Sequence, residues 1–248
     1  MHNDDNMKFS SGSRADRPAA SDSRLIWDLP LRLFHWLLVI AVAGAWITPK
    51  LGPAAWRWHL WFGYAALVLV MFRIAWGFAG PKHARFAGFL RGPATVAAYV
   101  RGLFGAHEVR YAGHNPLGAL MVMAFLLLLL AQGVAGLFAN DEVMSTGPLY
   151  GYVDDATSDE LSRLHRRLTD VLWIAVAVHL AAILLYGWLK RDDLTVPMIT
   201  GRKRGAGLRA DDEIAGSRPW LALMIAGLCA VLLYLVIATA PEPSIYLF

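Results

Sequence analysis

The sequence predicts an all-α, polytopic membrane protein with five transmembrane helices, and three observations predict it. Of 248 residues, 57% are hydrophobic and only 17% are charged, against about 25% charged in ordinary soluble domains. Mean hydropathy is positive, at +0.44. Apolar runs recur five times along the chain, each near the roughly 20 residues that a hydrocarbon core about 30 Å thick demands. Disordered, collagen-like and disulfide-stapled secreted chains are excluded by the same composition. A single cysteine, Cys229, allows neither an intrachain disulfide nor a Cys-x-x-Cys motif.

Residues 1–24 are rich in Ser, Asp, Asn and Arg with no apolar core, which predicts a disordered cytoplasmic tail rather than a signal peptide. The first span runs from Leu31 to Thr48 and stops at Pro49, because proline lacks the N–H that a helix interior requires. A second covers Ala54 to Ala79, before Pro81. Residues 93–104 set Val96, Tyr99, Val100, Leu103 and Phe104 on one face with Arg101 away from it, the pattern of a short helix lying on the inner membrane surface. The third span opens at Pro116, a favoured first-turn residue, and reaches Ala139. The fourth covers Leu164 to Leu189, and the fifth runs from Pro219 to Ala240. Residues 25–190 carry the first four spans. Residues 191–218 are a cytoplasmic linker, and 219–248 add a fifth helix with a short outer tail.

The net charge of +4 and pI near 9.3 are explained by topology. Lys82, Arg85, Arg91, Arg101 and Arg110 lie between spans two and three. Lys190, Arg191, Arg202, Lys203, Arg204 and Arg209 lie between spans four and five, and Arg14, Arg17, Arg24 and Arg32 precede or open the first. The loop between spans three and four carries Asp141, Glu142, Asp154, Asp155, Asp159 and Glu160 instead. Every second loop is basic, so the positive-inside rule puts the N-terminus in the cytoplasm and the C-terminus outside. No nucleic-acid partner is implied; the partner of this charge pattern is the lipid bilayer.

Ionisable groups inside a span are costly and mark function, and here they are mostly histidines. His35 lies on the first span, His59 on the second, and His165 with His179 on the fourth. Fourteen residues at about 100° each return to within about 40° of one face, about 21 Å along the axis. His165 and His179 therefore serve two sites rather than one. Topology pairs His35 with His179 on the inner side and His59 with His165 on the outer side. In this count the depths differ by a few Å, because His165 falls close to the helix end and His179 near mid-membrane.

Two facing imidazoles in an apolar bundle suit the axial positions of a b-type haem. With no Cys-x-x-Cys-His, two such haems are non-covalent. Arg73 follows His59 by fourteen residues and shares its face at the inner end, positioned for an inner propionate. Arg166 and Arg167 adjoin His165 and serve either an outer propionate or a snorkelling, helix-end role. Gly63 admits either a flat macrocycle or a neighbouring helix, as do Gly133 and Gly136.

These residues form a pattern: Arg32-x-x-His35-Trp36; His59-x-x-x-Gly63; Arg73-x-x-Trp76-Gly77-x-x-Gly80; Gly113-His114-Asn115-Pro116-x-Gly118; and His165 with His179. Over residues 25–190 the chain resembles the bacterial cytochrome b family that includes cytochrome b-561 and the membrane subunit of nickel–iron hydrogenases. The resemblance implies a four-helix di-haem bundle, here with a fifth C-terminal transmembrane helix added. It implies His35, His59, His165 and His179 as the haem ligands. Electron exchange with the membrane quinone pool is implied too, alongside a periplasmic redox partner, either a dehydrogenase subunit or a c-type cytochrome. The acidic stretch from Ala139 to Ser162 offers a docking face for a basic carrier or is a plain solvated loop. His114 either caps the third span with Asn115 or serves a propionate or quinone, while His2, His83 and His107 read as loop histidines.

Two other classes remain open from residues alone. A histidine-lined metal or proton transporter would favour acids beside the imidazoles, and only Asp170 lies within a span. A non-redox membrane anchor leaves the two-site histidine spacing unexplained.

Overall fold

The computed structural model describes residues 23–103, 111–140, 146–190, 192–204 and 208–241. The expected tail over residues 1–22, together with His107, Arg110, Asp141 and Glu142, lies outside the described residues. Strand β1 (Arg24–Leu25) leads into α1 (Leu29–Ile47), followed by α2 (Trp56–Ala79), α3 (Phe86–Phe89), α4 (Pro93–Gly102) and α5 (Pro116–Leu137). Then come α6 (Asp155–Leu189), α7 (Thr195–Thr200), β2 (Arg202–Lys203) and α8 (Pro219–Ala238). Five of these helices, α1, α2, α5, α6 and α8, are long and apolar enough to cross a membrane. The helix expected over 93–104 is α4, whose last described turn ends at Leu103.

Local chemistry sets the helix starts. Asp28 caps α1 by accepting from the Leu31 N–H at 3.0 Å. Asn115 caps α5 through the Gly118 N–H at 2.7 Å, with Pro116 in the first turn. Asp154 caps α6 through Thr157, so that helix begins at Asp155 and not at Leu164. Asp155, Asp159 and Glu160 therefore sit on two extra helical turns, and the acidic loop is shorter than expected. The change also resolves the depth mismatch. His165 is ten residues from the start of α6 and His179 ten from its end, so neither is terminal.

α2 is the central helix. α1, α5 and α8 all pack on it, while α6 packs mainly on α5. Toward α1 and α2, α6 reaches by side chains, with Trp46 and Trp173 at 4.7 Å and His59 and His165 at 6.0 Å between ring centroids. Three apolar clusters hold the helices. Ile26, Trp27, Leu31, Phe34, Phe72 and Trp76 join the N-terminal end of α1 to the end of α2. Val70, Leu126, Leu129 and Leu172 fill the middle, and Leu67, Leu137, Leu149 and Leu233 the far end.

The described residues 192–204 and 208–218 form a folded clamp across the N-terminal end. β1 pairs antiparallel with β2, Arg24 opposite Lys203. Gly201, at φ +81°, ends α7 and turns its carbonyl to the Ile26 and Trp27 N–H groups at 2.9 and 3.1 Å. A Cβ there would meet the Trp27 carbonyl at 2.7 Å, so glycine is required. Lys82 and His83 donate to the carbonyls of Asp211 and Asp212, at 2.8 and 2.7 Å, which takes His83 out of the class of unattached loop histidines. α8 anchors this clamp against α2.

Candidate functional site

At the far end of the bundle, α2 and α6 bring His59 and His165 edge to face, with centroids 6.0 Å apart and planes at 85°. Both rings are half-buried. His59 Nδ1 lies 2.7 Å from the carbonyl of Ala45 on α1, and His165 Nδ1 lies 2.9 Å from the carbonyl of Gln132 on α5. A carbonyl only accepts, so each Nδ1 carries the proton and each Nε2 keeps its lone pair for another partner. Gln132 was missed from sequence. Its side-chain amide donates to Thr169 Oγ1 at 2.9 Å and approaches His165 Nε2 at 3.3 Å. It was detectable as the one polar side chain in the third span.

Glycines shape this end. Gly136 lies under His165, where an added Cβ would come within 2.9 Å of the ring. Gly133 packs on Leu67, which settles it as a helix–helix contact. An added Cβ on Gly63 would meet nothing within 4 Å, so no helix among the described residues packs against it. Arg166 and Arg167 are both exposed, and the Arg166 charge is felt at His165.

Toward the N-terminal end, His35 on α1 and His179 on α6 are half-buried and close enough to interact electrostatically. His35 sits edge-on to Trp36, centroids 5.0 Å apart, and His179 edge-on to Phe125 at 5.6 Å. His35 Nδ1 is buried and has no hydrogen-bond partner among the described residues.

Arg73 lies on the same side of the molecule and is only 2% exposed. Its guanidinium carbon sits 5.3 Å from the Phe86 ring and 5.8 Å from the Phe89 ring, and neither Nη1 nor Nη2 has a hydrogen-bond acceptor among the described residues. Asp28 interacts with it electrostatically, but that carboxylate is already engaged by Leu31 N–H and by Trp76 Nε1 at 3.1 Å. Burial pushes the Asp28 carboxyl up from its ordinary range. His114 lies 4.7 Å from both Trp27 and Phe89, ring to ring, and its Nδ1 is buried without a partner among the described residues. Burial, with the Arg73 and His83 charges behind it, lowers its pKa to about 3. Asn115 alone caps α5, so His114 is not a capping residue.

Among the described residues no three His, Cys, Asp or Glu side chains converge; the bundle offers histidine in twos. A family model described as prokaryotic cytochrome b561 matches residues 26–201. The chain belongs to the prokaryotic cytochrome b561 family. The cytochrome is therefore a bacterial membrane b-type cytochrome of electron transfer, and haem b is the group that the family implies. The match spans α1 to α7 and stops short of α8. Among its relatives, a probable Ni/Fe-hydrogenase B-type cytochrome subunit of Azotobacter chroococcum mcd 1 is 26% identical over 71% of this chain and 86% of its own length. A protein of the same description in Rhizobium leguminosarum bv. viciae is 23% identical over 79% and 95%. One in Azotobacter vinelandii is 30% identical over 42% and 53%. No solved structure matches the cytochrome.

The residues present fit haem b. His59 and His165, with ring centroids 6.0 Å apart, leave room for one metal atom bonded at about 2 Å to each imidazole, so these two residues would hold the group. Arg73 supplies two buried N–H groups that lack acceptors, suited to a carboxylate.

Proposed function

We propose that the cytochrome carries single electrons across the membrane through two non-covalent b haems, linking a periplasmic redox partner to the quinone pool. The observation that supports this reading is the His59–His165 pair: 6.0 Å between rings, with both Nδ1 protons given to carbonyls and the lone pair of each Nε2 available to a metal, that of His165 once the Gln132 amide 3.3 Å away yields its place. His35 on α1 and His179 on α6, close enough to interact electrostatically, would hold the second haem. Haem b, when bound, supplies a reversible one-electron change at its iron.

The chain's own groups do the rest. The carbonyls of Ala45 and Gln132 fix the tautomer and orientation of His59 and His165. Gly136 leaves room for the His165 ring, and Gly63 offers a face without a side chain to the macrocycle. Arg73 holds a propionate at the N-terminal end, where its unmatched N–H groups favour a charged acceptor. The exposed Arg166 and Arg167 serve the propionates of the other haem. His114, kept neutral by its surroundings, lines this end as a hydrogen-bonding group toward propionate or quinone rather than as a proton reservoir.

Basic loops put the N-terminal end and its clamp in the cytoplasm and the His59–His165 end toward the periplasm. The relatives' descriptions favour an enzyme subunit of the hydrogenase kind as the partner there, with a c-type cytochrome as the other redox class. The test is the reduced-minus-oxidised spectrum of the purified protein with a pyridine haemochrome count. Two b haems per chain, both reduced on adding a quinol, support the proposal. A colourless protein that binds zinc overturns it in favour of metal transport.

A further inference from the structure

Each imidazole at the far end of the bundle is held twice, once at its edge and once across its face. His165 gives Nδ1–H to the Gln132 carbonyl and lies over Gly136. His59 gives Nδ1–H to the Ala45 carbonyl, and Trp56 covers its face, the two rings stacked with centroids 5.1 Å apart and planes at 23°. The chain reaches this stack through a sharp turn. Gly52, at φ +98°, turns the backbone after α1. Pro53–Ala55 then forms a single helical turn that delivers Trp56 as the first residue of α2. His59, three residues further on, shares its helix face.

Stacking accounts for the ring of Trp56 and not for its nitrogen. A phenylalanine would cover His59 as well and bury no polar group. The indole instead places its Nε1–H in a buried position with no acceptor among the described residues. That is a costly arrangement for a side chain whose N–H ordinarily finds a partner when buried. Trp36 and Trp76 do find partners, in the Met198 carbonyl and the Asp28 carboxyl.

From the stack and the unmatched donor together we infer that Trp56 is a positioning residue of the His59–His165 site. Its ring sets the rotation of the His59 imidazole, and its N–H is kept for a carboxylate of the group held there. The inference rests on the two-haem reading above. It gives that end a buried neutral donor beside the exposed Arg166 and Arg167. Water and salt screen the two arginines, whereas a sheltered N–H bonded to a charged acceptor is among the stronger hydrogen bonds.

The test compares Trp56→Phe and Trp56→Leu with the wild type as purified, haem-loaded protein. Two readouts are used: the ferric electron paramagnetic resonance spectrum, and the rate at which excess apomyoglobin withdraws haem. The largest g value of a bis-imidazole haem reports the angle between its axial rings, which is 85° between His59 and His165. Trp56→Phe retains the stack, so both ferric signals are expected to stay in place. One haem is expected to leave about tenfold faster, the scale of one hydrogen bond to a charged group. Trp56→Leu loses the stack too, and the signal missing from His59→Ala is expected to shift. Trp61→Leu removes an exposed ring from the same helix and is expected to change neither readout. A Trp56→Phe protein that holds both haems as firmly as the wild type overturns the inference, and does so even where Trp56→Leu fails to fold. An unmoved signal in Trp56→Leu, or a shift confined to the signal missing from His35→Ala, also overturns it while leaving two haems intact. A wild-type count below two haems instead removes the proposed function beneath it.

Discussion

The two ends of the bundle are built from different materials. At the His59–His165 end, order comes from neutral hydrogen bonds: two imidazoles tied to two carbonyls, and Gln132 tied to Thr169. At the N-terminal end it comes from buried ionisable groups, Arg73 and Asp28, packed among Trp27, Trp76, Phe86 and Phe89 and roofed by the clamp of residues 192–204 and 208–218. The first end orients its histidine rings; the second holds buried charge.

Changes at the charged end have the largest expected effects. Arg73→Leu removes the cation and leaves an unpaired acceptor in the bound state, so haem at the His35–His179 site is lost while the other site keeps its own. The haemochrome count measures this. Arg73→Lys retains charge without the planar fork and falls between the two. Asp28→Ala deletes the α1 cap, about 0.5–2 kcal/mol, and orphans the buried Trp76 indole N–H, about 1–3 kcal/mol more. Thermal loss of the haem absorption in detergent reports that drop. An Asp28→Ala protein as stable as the wild type breaks the distinction between the ends.

Packing gives a middle-sized test. A Cβ on Gly77 would lie 2.1 Å from the Phe86 ring, and overpacking of this kind costs about 1–3 kcal/mol. Gly77→Ala therefore lowers thermal stability. It also displaces a ring that covers Arg73, and so perturbs the His35–His179 site first.

His114 gives a pH test with a definite sign. Its folded pKa is lowered to about 3, so the unfolded chain takes up a proton below about pH 6.5 that the folded protein refuses. Stability is unaffected by this group above that pH and falls as pH drops toward 3, by up to about 1.4 kcal/mol per unit. His114→Asn flattens the fall between pH 6.5 and 5 in thermal melts. The smallest effect belongs to Arg166→Gln and Arg167→Gln, whose exposed charges are screened. Each is expected to leave the haem count unchanged and to make the reduction potential of the His59–His165 site less steeply dependent on salt.

Much of this was legible in the sequence, for physical reasons that differ by element. All five spans were readable because lipid demands long apolar runs, and the four histidines and Arg73 stood out because charge in such a run is expensive. The start of α6 was not, because Asp155 to Ser162 is polar on most sides and only the Asp154 cap marks it as helix. The clamp was equally hidden: its bonds from Gly201 to Ile26 and Trp27 are backbone bonds with no side-chain pattern. The same holds for the carbonyl of Ala45. Its role depends on where α1 passes α2, which no residue type encodes. Gln132 lay in view, and its isolation in an apolar helix was the signal.

The most direct measurement is the haem count of His59→Ala and His35→Ala beside the wild type. Two haems per chain are expected in the wild type and one in each variant. Either variant retaining both haems contradicts the pairing of these four histidines across the bundle.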